Sequence, residues 1–339
     1  MAEILHVCSG KGLGGTRTVF LAHQRVFDAL GVETTPLIRR GALIGEKLPN
    51  VSIVDYFRRI PVKWQRAYST MQALAEAHDL IWVHKPVDCH IWRTVAPEAK
   101  IVMVVHGFQN TNLEKADYLV AVSVPVLEHL RAKGLRNTFL VNNFLPTELT
   151  FPDQKILWND ELRISSFGFF RRKKGFSDLV KAVGILQNEY GCRNFQANLF
   201  GNGRLSPVLR LQKKFLEAEN LSINGWTENM PTELLRSDIV VIPSRSESFS
   251  MVAIEAMAAG CLVISTRCGG PEFIISDGYD GILVEKQNPQ ALAAKIREVI
   301  DHPEQFSYMR ENAIKTVAQK FSLKSAKDVI SEVLRRMRF

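Results

Sequence analysis

The sequence predicts an α/β protein of two domains, each built on a parallel sheet. Short apolar, β-branched runs alternate with helical stretches along the chain, a pattern typical of parallel strands joined by crossover helices. The 339 residues, 46% of them hydrophobic, suffice for two cores of ordinary size. A polar stretch with prolines at 145–160 interrupts the alternation, which predicts a domain boundary there.

The elements follow one another in a regular order. The first half opens with a strand over 4–8, a glycine loop over 10–15 and a helix over about 16–30. Strands over 80–84, 101–106 and 118–123 and a helix near 125–133 complete it. The second half is predicted to hold strands over 162–168, 196–200 and 238–243, and helices over 177–186 and 251–259. A last helix, over 325–338, carries apolar residues at helical spacing.

Composition restricts the functional classes. The net charge is +8 with a pI near 9.2, which suits a polyanionic ligand or an anionic membrane face. No recognition motif accompanies this charge, so no nucleic-acid partner is predicted. No apolar run is long enough to span a membrane, and the run at 4–7 is interpreted as a strand, not a signal peptide.

The cysteines and histidines predict neither disulfides nor a metal site. The five cysteines are scattered and lack a C-x-x-C pair, which favours a reducing compartment, the cytoplasm. His84, Cys89 and His90 lie near one another in sequence, but their spacing matches no familiar metal site.

The stretch 243–272 carries the most specific signal. Glu247 lies on the loop after the strand over 238–243, and Glu255 lies about one turn inside the helix over 251–259. Between them the backbone N–H groups at the positive helix end offer a seat for an anion, and Ser248 and Ser250 are candidate caps. A carboxylate on each side of a phosphate seat suits a ligand with a central phosphate and hydroxyls at both ends, such as a nucleotide sugar.

This stretch resembles the signature of the retaining family 4 glycosyltransferases, Pro-Ser-x-x-Glu-x-Phe-Gly-x-x-x-x-Glu-Ala-Met-Ala-x-Gly. Ser250 stands where the family usually has glycine; the positions in register are Pro243, Ser244, Glu247, Phe249, Glu255, Ala256, Met257, Ala258 and Gly260. The resemblance implies the GT-B fold, two Rossmann-like domains facing a cleft. It implies an acceptor-side domain over 1–150, a nucleotide-sugar domain over 151–322 and a helix over 323–339 that crosses back to the first domain.

A second resembling segment, 168–176, implies the diphosphate clamp. The family pattern is Gly-Arg-Leu-x-x-x-Lys-Gly, in which the arginine and the lysine hold the donor diphosphate. Lys174 matches the lysine, but Phe169 stands at the arginine position. Arg171 or Arg172 is the candidate to supply the missing charge.

The resemblance implies roles for the remaining site residues. Lys174, with Arg171 or Arg172, neutralises the leaving group, and no metal ion is required. Glu247 holds hydroxyls of the transferred sugar, Glu255 holds the ribose hydroxyls, and His106 contacts the sugar from the first domain. The donor-binding residues that complete the set are Gly14, Gly15, Gly201, Gly203, Ser248, Phe249, Ser250 and Met251.

Several alternatives stay open from the sequence. The 10–15 loop contains G-x-G-x-x-G, which also fits a nicotinamide-dependent oxidoreductase, although the acidic residue expected after the second strand is not convincing. A sugar-nucleotide epimerase and a catalytically weak or inactive nucleotide-sugar or glycan-binding protein are the others. The aromatic, basic segment 56–68 is either a solvated helix or a surface for an acceptor or a membrane.

The sequence does not name the donor or the acceptor. The donor is UDP-, GDP- or ADP-linked, and no other cofactor is expected. By family association, the acceptor is a glycan or a lipid-linked glycan of bacterial lipopolysaccharide or surface polysaccharide, and the protein touches the inner membrane peripherally from the cytoplasmic side.

Overall fold

The structure, a computed structural model, describes residues 3–10, 14–40, 42, 52–54, 61–108, 111–147 and 157–339, without the side chains of 54 and 61–66. The chain divides into two compact units. Unit 1 is Met1–Glu148 with Phe321–Phe339, and unit 2 is Leu149–Lys320. The boundary predicted at residue 150 and the residues 11–13 and 55–60 of two predicted motifs lie outside the described residues.

Unit 1 contains a seven-stranded parallel sheet of order β3-β2-β1-β4-β5-β6-β7. The strands are β1 (Ile4–Cys8), β2 (Thr34–Arg39), β3 (Ser52–Val54), β4 (Leu80–Val83), β5 (Ile101–Val105), β6 (Tyr118–Ala121) and β7 (Thr138–Leu140). The helices between them are α1 (Gly15–Leu30), α2 (Pro61–Glu76), α3 (Pro86–Val95) and α4 (Val124–Ala132).

Helix α1 shows why the sequence folds this way locally. Its buried side chains recur at helical spacing and include Phe20 and Phe27, which cover β1. The helix ends where Gly31 adopts a left-handed conformation (φ 69°), because only glycine takes this conformation without a steric cost.

Unit 2 contains a six-stranded parallel sheet of order β10-β9-β8-β11-β12-β13. The strands are β8 (Leu162–Phe167), β9 (Phe195–Phe200), β10 (Leu221–Asn224), β11 (Ile239–Ile242), β12 (Leu262–Thr266) and β13 (Ile282–Val284). The helices are α5 (Phe176–Asn188), α6 (Ser206–Phe215), α7 (Met230–Leu235), α8 (Met251–Ala258), α9 (Pro271–Ile274), α10 (Pro289–Asp301) and α11 (Ser307–Lys320).

The core of unit 2 lies between this sheet and its helices. The strands β11 and β12 are completely buried, as expected for central strands of a parallel sheet covered on both faces. Phe176 and Leu186 of α5 and Ile296 of α10 belong to one buried apolar cluster with them. The predicted fold class, two Rossmann-like parallel-sheet domains, is therefore confirmed.

The last helix, α12 (Leu323–Arg336), packs on unit 1, where it contacts α1. Its Ser322 hydroxyl caps the N-terminus by accepting a hydrogen bond from the Ser325 amide (3.2 Å). Ile330 and Val333 are buried, whereas Val329 is 42% exposed. The chain thus returns to its first unit after α11.

Candidate active site

The order of the second sheet locates a binding crevice. β8 is the first strand of unit 2, and the chain builds outward from it in both directions, through β9 and β10 on one side and β11 to β13 on the other. In open α/β sheets ligands bind beyond the carboxyl ends of the strands at such a switch point. The loops after β8 and β11 flank this point, and they carry Lys174 and Glu247.

Lys174 and Glu247 meet there in an ion pair. The Lys174 Nζ lies 2.8 Å from the Glu247 Oε1, and their side chains are 25% and 7% exposed. The Ser244 hydroxyl donates to the same carboxylate oxygen at 2.6 Å. The structure thus brings together two predicted catalytic residues, and one carboxylate oxygen of Glu247 accepts both a cationic and a neutral donor.

Close backbone packing holds the Lys174 loop in place. Residues Arg172–Lys174 form a 3-10 turn that ends at Gly175 (φ 66°). A Cβ at Gly175 would lie 1.7 Å from the Pro243 carbonyl oxygen, so no larger residue fits there. Asp178, in the first turn of α5, accepts hydrogen bonds of 2.9 and 3.1 Å from Arg245, in the loop after β11. This packing keeps the backbone at Lys174 close to the loop that carries Glu247.

The loop after β9 packs equally closely. A Cβ at Gly201 would lie 2.0 Å from the Gly168 carbonyl oxygen, and one at Gly203 would lie 2.6 Å from the Phe170 carbonyl oxygen. Gly201 and Gly203 thus permit the loops after β9 and β8 to touch. This packing accounts for both glycines without a ligand, so their donor-binding role stays a prediction.

Helix α8 starts beside Glu247, as the sequence predicted, and the chain turns at Gly260 (φ 74°) just beyond its end. Ser250 occupies the N-cap position, but its side chain makes no capping hydrogen bond. The predicted capping by Ser250 is therefore wrong. The Ser250 hydroxyl therefore accepts no hydrogen bond from the backbone N–H groups of the first turn, which begins at Met251. Backbone N–H groups at a helix N-terminus favour an anion. Phe249, just before the cap, is buried.

Glu255 lies in the second turn of α8. Burial raises the pKa of its carboxyl to about 7, because the protein interior disfavours the charged form. A hydroxyl that hydrogen-bonds to this carboxylate would offset part of that cost. Glu255 is thus suited to bind a polar ligand group.

Phe169, which stands where the family has arginine, stacks on a second aromatic residue. The Phe169 ring stacks on Trp226 with centroids 4.9 Å apart, and the Arg171 guanidinium lies over the Phe169 ring at 5.1 Å. Arg172 is exposed on the following turn. Arg171 thus returns a positive charge to the neighbourhood of Phe169.

The remaining predicted residues belong to unit 1. Gly14 (φ 144°) precedes α1 and Gly15 begins it. His106 follows β5 directly, and its Nε2 lies 3.2 Å from the His84 Nδ1. Burial, with a smaller effect of Lys85, lowers the pKa of His106 to about 4, so this imidazole is neutral at pH 7.

Sequence reasoning missed several supporting residues. Ser244 was noted only as a motif match, yet its hydroxyl binds Glu247. The pair Asp178–Arg245 carried no signal, since the two residues are 67 positions apart. His84 was considered only for a metal. Within the described parts of the chain, no group of three or more His, Cys, Asp or Glu residues is arranged to hold a metal ion.

Comparison with known proteins agrees with this geometry. Residues 150–316 match the family model described as glycosyl transferases group 1. An uncharacterized glycosyltransferase of Methanocaldococcus jannaschii is 34% identical over 175 residues, 50% of this chain and 47% of that protein. The N-acetyl-alpha-D-glucosaminyl L-malate synthase of Bacillus anthracis is 26% identical over 278 residues, 74% of this chain and 72% of that protein. The lipopolysaccharide core biosynthesis glycosyltransferase LpsE of Rhizobium meliloti is 26% identical over 172 residues, 50% of this chain and 49% of that protein.

The archaeal and the Rhizobium alignments thus span about half of each relative, while the Bacillus alignment spans most of it. Among solved structures, HepE of Anabaena in complex with UDP and glucose superimposes with a TM-score of 0.83 at 19% identity, and the match covers 99% of this chain and 100% of that one. At this identity the likeness shows the fold. These matches define the protein more closely: residues 150–316 match the group 1 glycosyl transferases, and the chain has the GT-B fold.

No helix in the described ranges combines the length and the apolar character that crossing a bilayer requires.

Proposed function

We propose that the protein transfers a sugar from a nucleotide-sugar donor to a glycan or glycolipid acceptor. The observation that carries this proposal is the Lys174–Glu247 pair at the switch point of a group 1 glycosyl transferase module. A cation and a carboxylate 2.8 Å apart offer one group for a diphosphate and one for sugar hydroxyls. The relatives named as glycosyltransferases support the same activity.

The roles follow from charge. When the bond between the sugar and the diphosphate breaks, negative charge grows on the leaving oxygen, and we assign its stabilisation to Lys174 and the α8 N-terminus. Arg171 adds a third positive contribution. Glu247 then accepts hydrogen bonds from hydroxyls of the transferred sugar, and Glu255 from the ribose. His106 is assigned, as the resemblance implies, to contact with the transferred sugar.

We further propose a retaining reaction that needs no divalent ion. The acceptor oxygen attacks the anomeric carbon from the face that the diphosphate leaves, and the acceptor proton passes to a diphosphate oxygen. The bond from carbon to diphosphate breaks and the bond to the acceptor forms. The cationic side chain and helix N-terminus support the absence of a metal requirement, since they supply positive charge themselves.

The acceptor is proposed to be a glycan or a lipid-linked glycan of bacterial lipopolysaccharide or surface polysaccharide. Similarity to LpsE supports this class. The donor base stays open among UDP, GDP and ADP, and HepE was crystallised with UDP. We place the reaction in the cytoplasm, where nucleotide sugars would meet such an acceptor at the inner face of the membrane.

Helix α6 supports peripheral contact with an anionic membrane. Val208, Leu211 and Phe215 are 53%, 70% and 84% exposed, and their spacing places them on one face of the helix. Arg210 and Lys214 are exposed beside this apolar stripe. A second copy of the chain would oppose these positive charges with its own, whereas an anionic lipid surface attracts them.

The decisive experiment couples binding with turnover. Screening UDP-, GDP- and ADP-sugars by thermal stabilisation identifies the donor, because a ligand that binds only the folded state raises the melting temperature. Release of the nucleoside diphosphate in the presence of acceptor then reports transfer. Retention of the anomeric configuration, and turnover that persists in a chelator, test the mechanism. Stabilisation without release would instead identify a binding protein.

Lys174→Ala is expected to lower turnover roughly a hundredfold or more, because a charge that stabilises the leaving group is lost. The melting temperature should change far less than the rate. Lys173→Ala is the matched control, since this neighbouring lysine is exposed. Equal turnover in the two variants would remove Lys174 from the site.

A further inference from the structure

One half of the sheet in unit 2 has a solvent-exposed face. At the amino ends of β8, β9 and β10 the first residue of each strand is buried and the second is exposed. The exposed residues are Arg163, Gln196 and Ser222, and successive side chains of a strand point to opposite faces of the sheet. Strands of a parallel sheet are normally covered on both faces. An exposed half is therefore unusual in this fold.

An open cavity of about 350 Å³ lies on this face. It extends from Glu161, just before β8, to Phe200, the last residue of β9. The residues after α7 form one side, where the Ser237 hydroxyl donates to the Ser165 hydroxyl at 2.6 Å. The cavity thus lies along the strands and not in the crevice beyond their carboxyl ends, and its volume is within the range of ligand sites.

The cavity contains hydrogen-bond donors and acceptors that are not used within the protein. The Asn198 carbonyl accepts from the Asn224 amide at 3.1 Å, so the Asn198 NH₂ group is left as a donor. The Gln196 NH₂ group faces a Glu161 carboxylate oxygen at 3.4 Å, which leaves the Gln196 carbonyl as an acceptor. Within the described ranges, the Arg163 guanidinium makes no hydrogen bond or ion pair with another residue.

The charges around the cavity balance. Arg163 and Arg236 are offset by Glu161 and Glu233, so an anion would meet two carboxylates as well as two guanidinium groups. A hydroxyl both donates and accepts, and an uncharged molecule with many hydroxyls can therefore use both kinds of group. Phe200, which is half-buried, adds an aromatic surface at one end for the apolar face of a ring.

We propose that this cavity binds a neutral saccharide, at a site separate from the crevice of the proposed reaction. A second copy of the chain is a poorer occupant, because the core of a protein interface is apolar. Of the described residues that line the cavity, Phe200 alone is apolar. Binding at this site requires neither a donor nor turnover, so it can be tested even if the proposed transfer fails.

Titration of the whole protein with maltose, lactose and mannobiose tests the site. The side-chain amide ¹H–¹⁵N signals of Gln196 and Asn198 report contact directly, and the single variants Gln196→Leu and Asn198→Leu assign these signals by removing them. We expect at least one of the three sugars to shift both signals, with a dissociation constant in the millimolar range. Inorganic phosphate should shift neither signal.

The double variant Gln196→Leu with Asn198→Leu should weaken binding more than tenfold, the effect of two lost hydrogen bonds. Saturation-transfer spectra of the sugar measure this binding, and melting curves check that the variant folds. The matched control is Gln290→Leu with Gln319→Leu, two exposed glutamines of α10 and α11, which should bind as the original chain does.

Four outcomes would overturn the inference. They are no shift with any of the three sugars, binding that the folded double variant retains, larger shifts with phosphate than with the sugars, and dimers that the double variant abolishes. If the double variant does not fold, the shifts of the Gln196 and Asn198 signals in the original chain still decide whether a sugar binds there.

Discussion

Replacing Glu255 by glutamine should stabilise the protein, and the stabilisation should grow with pH. In the folded state burial raises the pKa of this carboxyl from 4.5 to about 7. Between these two values the folded state binds the proton more tightly than the unfolded state does. Stability therefore falls as the pH rises through this window, because ionisation is easy only in the unfolded chain. Glu255→Gln removes this cost.

The magnitude follows from the shift. One pKa unit corresponds to about 1.4 kcal/mol, so the full cost above pH 7 is about 3 kcal/mol. At pH 5 the folded carboxyl is protonated and the cost is below about 1 kcal/mol. The advantage of Glu255→Gln should thus increase by roughly 2–3 kcal/mol between pH 5 and pH 8. For a domain the size of unit 2 this amounts to several degrees of melting temperature.

Melting temperatures of both proteins at pH 5, 6, 7 and 8 measure this difference. Glu228→Gln is the matched control, since this glutamate is exposed. If the advantage of Glu255→Gln were the same at pH 5 and pH 8, the burial argument would be refuted. The same variant should also weaken donor binding if Glu255 binds the ligand. A carboxylate that only lowers stability would leave donor binding unchanged.

Two further outcomes are expected. Gly175→Ala should destabilise unit 2 and abolish turnover, because its Cβ would lie 1.7 Å from the Pro243 carbonyl oxygen. Gly191→Ala is the control for backbone strain in melting experiments, since Gly191 is also left-handed but has open space around its Cβ position. The double variant Leu211→Ser and Phe215→Ser should reduce co-sedimentation with phosphatidylglycerol vesicles tenfold or more, compared with Leu235→Ser, an equally exposed leucine. Equal sedimentation would argue against membrane contact through α6, and association into dimers that the double variant abolishes would assign the stripe to a second copy.

The strands and helices that the sequence analysis named were predictable because their apolar periods are strong, whereas β3, β12 and β13 were not predicted. The helix predicted over 251–259 is α8, and the strand predicted over 238–243 contains β11. Lys174 and Glu247 were each singled out by a motif that follows a strand, and their role as site residues stays a prediction. Their direct contact was not predictable, because it depends on the order of β8 and β11 in the sheet.

Contacts between distant polar residues left no trace in sequence. His6 lies within an apolar strand, and His84 follows another, so each had the pattern of a core residue. Their hydrogen bonds arise because β1 and β4 are neighbours, although 78 positions separate the two histidines. Ser250 shows the opposite error. Local preference predicted a cap at Ser250, but the hydroxyl makes no such bond, which local rules alone do not anticipate.

Position 169 carries an aromatic residue where the family motif has arginine, and a guanidinium lies over its ring. Phe169 cannot pair with a diphosphate, and its ring instead stacks on Trp226. That platform supports the Arg171 guanidinium, which lies 5.1 Å from the ring centroid. A cation over an aromatic face keeps its charge and its N–H groups available at the edge of the ring. The geometry therefore favours Arg171 over Arg172 as the second cation of the proposed diphosphate site, with Lys174 held by Glu247 as the first.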